Sequence, residues 1–228
     1  MCSRVGQTLA ENNVETSAII QTVDAKTTLA FVTLDETGDR DFTFYRDPGA
    51  DMLYEWSDVN LDLFAKAKIF HHGSISLINE PVRTTTIKMV QRAREEGILV
   101  SYDPNLRMSL WLDKQKAKYW IIKGLETADI VKLSEEELEF ITGEQDIISG
   151  MKSIMKYGLK LLFVTLGSEG SYFYNGISSK VVPGFEVDVQ DTTGAGDAFV
   201  AGILAQLIQR NINKIDDINN LSKIDLEE

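Results

Sequence analysis

The spacing of apolar residues changes character along this chain, and each change predicts a different element. At the start, Val5 and Leu9 stand four apart among polar residues, which predicts a helix over residues 5–12. Residues 27–34 (Thr-Thr-Leu-Ala-Phe-Val-Thr-Leu) and 41–46 (Asp-Phe-Thr-Phe-Tyr-Arg) are β-branched and aromatic, with partial alternation. The polar stretch 35–40 between them contains Gly38, so the pair reads as a β-hairpin. A two-stranded hairpin is not stable alone and must pack on something larger.

From about residue 58 the pattern alternates between helix and buried strand. A helix is predicted from Glu80-Pro81 to Glu96, with Ile87 and Val90 on one face and Gly97 as its stop. A short apolar strand over 98–102 follows, then a helix over 114–126 and a strand over 129–133. Ser134 with Glu137 three residues later forms a capping box that opens a helix to Ile141. A helix over 147–157, a strand over 161–165 and a strand around Tyr172–Tyr174 complete the run. Such alternation implies βαβ units, hence an α/β fold with a mostly parallel sheet and helices on both faces. The strands are nearly all apolar, as strands covered on both faces are. Their carboxyl ends run into His71–Ser74, Asp103–Arg107, Lys132–Ser134 and Thr165–Gly167, which are expected to share one crevice. The division expected is a core of residues 1–26 and 52–228 with a β-hairpin protrusion at 27–51.

Composition narrows the partners without changing the fold. The hydrophobic fraction is 43% and the charged fraction 25%, ordinary for a packed domain. The net charge of −12 argues against a nucleic-acid partner, which needs a basic face. It leaves room for a nucleotide, because a phosphate site is local and can be built from backbone N–H groups. No apolar run approaches the ~20 residues of a membrane span. There is no internal repeat or signal-peptide pattern, and Cys2 is the single cysteine. A cytoplasmic location without membrane contact is the expectation.

The chemistry concentrates in Asp191-Thr-Thr-Gly-Ala-Gly-Asp197, which runs into the strongly helical Ala198–Leu207. Gly194 and Gly196 let the backbone approach a ligand closely. The free N–H groups of the first turn favour an anion. Asp197 in that turn could take a proton from an alcohol placed beside the same phosphoryl group. An ordinary helix start stays open on spacing alone, but two glycines in a first turn cost about 1 kcal/mol each relative to alanine. The Walker-type loop and the dinucleotide fingerprint do not fit, since Phe199 stands where the latter wants a small residue.

Asp191-Thr-Thr-Gly-Ala-Gly-Asp-Ala-Phe199 resembles the C-terminal signature of the PfkB, or ribokinase-like, carbohydrate kinases. Phe44-Tyr-Arg-Asp-Pro-Gly-Ala-Asp51, His72-Gly-Ser-Ile-Ser-Leu77 and Ser101-Tyr-Asp-Pro-Asn-Leu-Arg107 extend the resemblance over nearly the whole chain, closest to bacterial and plant fructokinases. The resemblance implies ATP-dependent phosphorylation of the 6-hydroxyl of D-fructose, with Asp197 as general base and Gly194, Ala195 and Gly196 as anion hole. It implies Ser134, Glu137, Thr165, Gly167 and Gly170 along ATP, with Glu137 organising Mg²⁺ through water. It implies a K⁺ near Asp191 and Thr193, and Arg46 and Arg107 at the sugar. The hairpin becomes the family's lid, which often forms a homodimer contact.

Bland readings stand beside these. Ser134 and Glu137 suffice as a capping box, Arg107 reads equally as the partner of an acid, Arg46 reads equally as a solvated lid residue, and His71 and His72 point opposite ways and make poor joint metal ligands. Family members also carry a further N-terminal stretch with a sugar-binding Asp and a Gly-Gly-x-x-Asn motif, and continue past the position of residue 228. Asp225-Leu-Glu-Glu228 reads as a helix start with no helix after it. The expectation is a kinase lacking both ends. An inactive fragment with a nucleotide-binding remnant, or a kinase for ribose, 2-keto-3-deoxygluconate or a nucleoside, are the alternatives.

Overall fold

The structure, a computed structural model, describes residues 2–34, 40–189, 191–219 and 221. The centre of the hairpin loop (35–39) and the helix start at 225–228 lie outside the described residues. Helix α1 spans Cys2–Glu11. Strands β1 (Leu29–Leu34) and β2 (Arg40–Tyr45) then pair antiparallel from Leu29↔Tyr45 to Leu34↔Arg40. They form a two-stranded sheet of their own, separate from the main sheet, as the sequence predicts.

The remainder alternates. Helix α2 (Leu61–Phe64) leads to β3 (Ile69–Gly73), α3 (Val82–Glu95), β4 (Leu99–Asp103), α4 (Lys114–Leu125) and β5 (Ile130–Ser134). Helices α5 (Glu135–Thr142) and α6 (Ile147–Met155) precede β6 (Leu161–Thr165), and β7 (Ser171–Tyr174) and β8 (Ser179–Val182) follow it. Helices α7 (Ala195–Gln209) and α8 (Ile215–Asn219) close the described chain. The local signals act as read. Ser134 and Glu137 form the reciprocal capping box, Gly143 ends α5 in the left-handed region at φ 76°, and Gly97 follows α3 at φ 70°. Asp113 and Asp146 cap α4 and α6 by accepting from the N–H groups of Lys116 and Ser149.

The main sheet runs β3-β4-β5-β6-β7-β8, with β3 to β6 parallel and the last two pairings antiparallel. Because each parallel strand lies beside the one before it, right-handed crossovers put their helices on a single face. There Val90, Ala93, Ile121, Leu125, Leu138, Ile141, Met151 and Ile154 pack against Val100, Tyr102, Val131, Leu133, Leu162 and Val164. The opposite face (Leu99, Ile130, Leu161, Phe163, Phe173) is closed by Leu207 of α7 together with Ile212 and Ile218. Some details differ from the sequence reading, among them the short helix α8, which it did not anticipate. Helix α6 stops at Met155 instead of Tyr157, and β8 was not anticipated, because Ser179-Lys-Val-Val182 is short and mostly exposed.

Candidate active site

Strand alternation builds the floor of the site. Ile69, Leu99 and Ile130 belong to the core on the α7 side. Side chains two or four residues on therefore share that face: His71 on β3, Ser101 and Asp103 on β4, Lys132 on β5. They form a polar row at the carboxyl ends of the strands. His71 Nδ1 lies 3.1 Å from Ser101 Oγ, and Lys132 Nζ lies 3.4 Å from Asp103 Oδ2. Asp103 Oδ1 also accepts from the Asn105 N–H at 3.1 Å. Burial pushes the Asp103 carboxyl up, with Lys132 pulling it back, and burial holds His71 below its usual value against the charges of Asp103 and Asp197.

The roof is the turn into α7. The Asp191 carboxylate accepts from the Thr193 N–H at 2.7 Å, and Gly194 takes the N-cap position at φ 81°, which a side chain would strain. Asp197 is the third residue of the helix and is exposed. The N–H groups of Gly196 and Asp197 have no acceptor within the helix, by the geometry of any helix start. Between floor and roof lies a cleft of about 570 Å³ lined by His71, Gly73–Ile75, Asp103–Asn105, Arg107, Thr192–Gly194, Gly196 and Asp197. Ala30 and Phe44, a cross-strand pair of the hairpin, also line it.

The cleft therefore gathers Asp197, Gly194, Gly196, Thr193 and Arg107 from the residues singled out in the sequence, but not all of them. Asp191 and Ala195 sit beside it in the same turn. Glu137 lies behind it, buried, with Oε1 accepting from the Leu106 N–H at 2.6 Å and Oε2 from the Ser134 N–H at 2.9 Å. Burial pushes its carboxyl up against the pull of those two bonds. Glu137 thereby ties the loop after β4 to the start of α5.

Of the four strand ends expected to share one crevice, those of β3 and β4 line this cleft, and residues of 132–134 and 165–167 are not among its lining. After β6 the chain reverses into antiparallel β7. Thr165 Oγ1 donates to the Leu133 carbonyl at 3.4 Å. Gly167 opens the reversal at φ 59°. Gly170, at φ 107°, lies where a Cβ would meet the backbone of Val182–Gly184.

Arg46 is not a solvated lid residue. Its side chain is 4% exposed; Nε and Nη2 reach Asp51 Oδ2 at 2.8 and 2.7 Å, Nη1 donates to Asn79 Oδ1 at 3.3 Å, and Nη2 donates to the Ile75 carbonyl at 3.4 Å. It joins the base of the hairpin to the turn after β3. Ser101 was missed as a site residue, and Lys132 and Asp103 were noted only as strand ends. The signal available was a charged or polar residue interrupting an otherwise apolar buried strand. Among the described residues no three His, Cys, Asp or Glu side chains group to hold a metal ion, and no helix is long and apolar enough to cross a membrane.

An α/β sheet with a glycine-built helix start, a carboxylate in its first turn and Arg107 lining the same cleft offers the N–H donors and the charge of an anion-binding site. The family described as pfkB family carbohydrate kinase matches residues 3–215, and the chain belongs to that family. It is 50% identical over 201 residues to the probable chloroplastic fructokinase-6 of Arabidopsis thaliana, a match covering 87% of this chain and 52% of that protein. It is 45% identical over 205 residues to fructokinase-1 of Oryza sativa subsp. japonica, covering 88% and 62%. The chain thus spans between about half and three fifths of the length of these curated relatives. Among solved structures it is similar to the fructokinase of Xylella fastidiosa with bound ATP (TM-score 0.90, 34% identity, 99% of this chain and 70% of that one). It is also similar to the fructokinase of Vibrio cholerae O395 in its fructose, ADP and calcium ion bound form (TM-score 0.84, 36% identity, 95% and 71%).

Proposed function

We propose that this chain carries the phosphoryl-transfer site of an ATP-dependent sugar kinase that phosphorylates the 6-hydroxyl of D-fructose, with Asp197 as the general base. The observation that supports it most is the shared first turn of α7: Asp197, with its carboxylate, and Gly196, whose N–H like that of Asp197 has no acceptor within the helix, line the cleft that Arg107 also lines. A base and an anion hole in one turn can take a proton from an alcohol while stabilising the phosphoryl group it attacks. The names of the relatives support fructose as acceptor. Phosphoryl transfer asks little more of a protein than positioning and charge.

In this reading Gly194, Ala195 and Gly196 bind the transferring group and Arg107 meets phosphate and sugar. Ser134, Thr165, Gly167 and Gly170 lie along the nucleotide, and Arg46 orders the hairpin over the sugar as a lid, through which a homodimer would form. Magnesium fits as an ion carried by the nucleotide phosphates, since the described residues offer no acidic cluster of their own; Glu137 would orient its water shell. Asp191 and Thr193 are the residues that would hold K⁺.

The test is fructose-dependent ADP release by the wild-type chain and Asp197→Asn side by side. Asn keeps the shape but cannot take the proton, so the rate should fall ~10²–10⁴-fold with nucleotide binding retained. Equal rates would remove Asp197 from this role. Turnover of ribose, 2-keto-3-deoxygluconate or a nucleoside in place of fructose would change the acceptor and keep the base, and no turnover of any acceptor alongside retained nucleotide binding would mark a silent remnant.

A further inference from the structure

We propose that Lys132 is a positioning residue that neutralises the carboxylates beneath the anion-binding turn and thereby lets that turn hold phosphate; the inference deepens the proposed function and rests on its phosphate site. Lys132 stands on β5 in the sequence Ile130-Val-Lys-Leu133, where its neighbours are buried apolar residues. An ammonium group in that position is costly unless something there needs it. Its side chain is 11% exposed and its Nζ lies 3.4 Å from Asp103 Oδ2, whose own side chain is 5% exposed.

The second observation is where that ammonium sits. A methyl group added at Gly196 would lie 3.2 Å from Lys132 Nζ, so the absence of a side chain at 196 lets the cation come directly under the first turn of α7. The glycine that opens the turn to a ligand above also opens it to a cation below.

The surroundings explain why a cation is required. Asp103 on β4 and Glu137 on α5 are buried carboxylates; Glu136 and Glu137 both feel the charge of Lys132, and Asp197 stands in the turn itself. His71 on β3 is held towards its neutral form by burial and Arg107 stands across the cleft. Without Lys132, the negative charge of Asp103 and its neighbours would face the same N–H groups that must accept an anion. The effect acts over a few ångströms in a partly buried site, where one unit of charge changes affinity on the order of tenfold. A brace that only held β4 against β5 would depend on both partners of the pair. A charge-neutralising residue depends on the net charge they leave.

That difference gives the test. Pyrophosphate is the probe, because it engages the turn without needing an adenine or sugar pocket, and binding is measured by calorimetry at low and high salt. Lys132→Met should weaken pyrophosphate about tenfold or more, and Lys132→Arg should retain most of the affinity. Asp103→Asn keeps the acceptor for the Asn105 N–H and removes one negative charge, so it should bind pyrophosphate more tightly than the wild type. The double variant Lys132→Met/Asp103→Asn should return close to the wild-type affinity. All differences should shrink at high salt. Weaker binding by Asp103→Asn, or no recovery in the double variant, would overturn the inference in favour of a brace. Should Lys132→Met fail to fold, Asp103→Asn and Lys132→Arg still decide. A chain that binds pyrophosphate with this charge pattern but phosphorylates no acceptor would keep the inference and remove the proposed function. A chain that phosphorylates fructose while Lys132→Met binds pyrophosphate as the wild type does would do the reverse.

Discussion

His72 offers a stability prediction that can be worked through from its surroundings. It is 7% exposed, its ring stacks on Tyr102 at 4.6 Å and Phe70 at 5.8 Å, and neither ring nitrogen finds a hydrogen-bond partner among the described residues. Burial, with added repulsion from His71, outweighs the opposite pull of the nearby Gly73 backbone, which falls short of a well-formed hydrogen bond, and pushes its pKa down from 6.5 to about 4. The unfolded chain accepts a proton near the ordinary value while the folded ring resists it. Stability is therefore fully present above the unfolded value and is lost as pH falls from 6.5 towards about 4. At 1.36 kcal/mol per pH unit, the loss between pH 8 and pH 5 is about 2 kcal/mol. For a chain of this size that is a fall of about 4–8 °C in Tm. Phe in this position keeps the stacked ring and removes the titration. The assay is urea unfolding of wild type and His72→Phe at both pH values. Asp103, Asp129 and Glu137, whose carboxyls burial pushes up, make the fold relatively stronger at lower pH, but they do so in both proteins and cancel in the comparison. The variant should lose about 2 kcal/mol less than the wild type over this pH interval. An equal loss would show that His72 is not held neutral by burial.

Glu137→Ala strands the part-buried N–H groups of Leu106 and Ser134; at ~1–3 kcal/mol per unsatisfied group the total is at most about 2–6 kcal/mol, read as a lower urea midpoint. Gly170→Ala forces a side chain into the backbone of Val182–Gly184 at φ 107°, so a loss of about 2–4 kcal/mol is expected, with thermal unfolding as the check. Arg46→Met removes the ties to Asp51, Asn79 and the Ile75 carbonyl, and limited proteolysis should then cut within residues 27–51 well before the main sheet; an unchanged pattern would show that other contacts hold the hairpin.

Much of this was legible in the chain because the relevant signals are local. Capping residues, glycine stops and apolar runs located α3 to α7 and β4 to β6 within a few residues, since each reports a backbone requirement of its own neighbourhood. The turn 191–197 was legible for the same reason. What was not legible depends on strand pairing. Lys132 and Asp103 become partners only when β4 lies beside β5, and Lys132 meets Gly196 only once α7 covers that face. The chain reversal after β6 depends on β7 returning antiparallel, which apolar content does not encode. Arg46 stayed open between a sugar contact and a solvated lid residue because two of its partners, Asn79 and Ile75, lie about thirty residues away.

The agreement between strand order and chain order bears on how the molecule assembles. In the parallel part each strand pairs with one about thirty residues on: Ile69 with Leu99, Ser101 with Ile130, Ile130 with Leu161. Every one of those closures carries a similar, modest loop entropy, so the sheet can lengthen one unit at a time as the chain leaves the ribosome. One face is clothed as it grows, because each crossover helix arrives with its strand. The other face must wait. Leu99, Ile130, Leu161 and Phe163 stay bare until Leu207 and Ile212 are made, roughly forty residues after the end of β6. That interval is the vulnerable stage of synthesis, when a half-clothed sheet offers an apolar surface to chaperones or to other nascent chains.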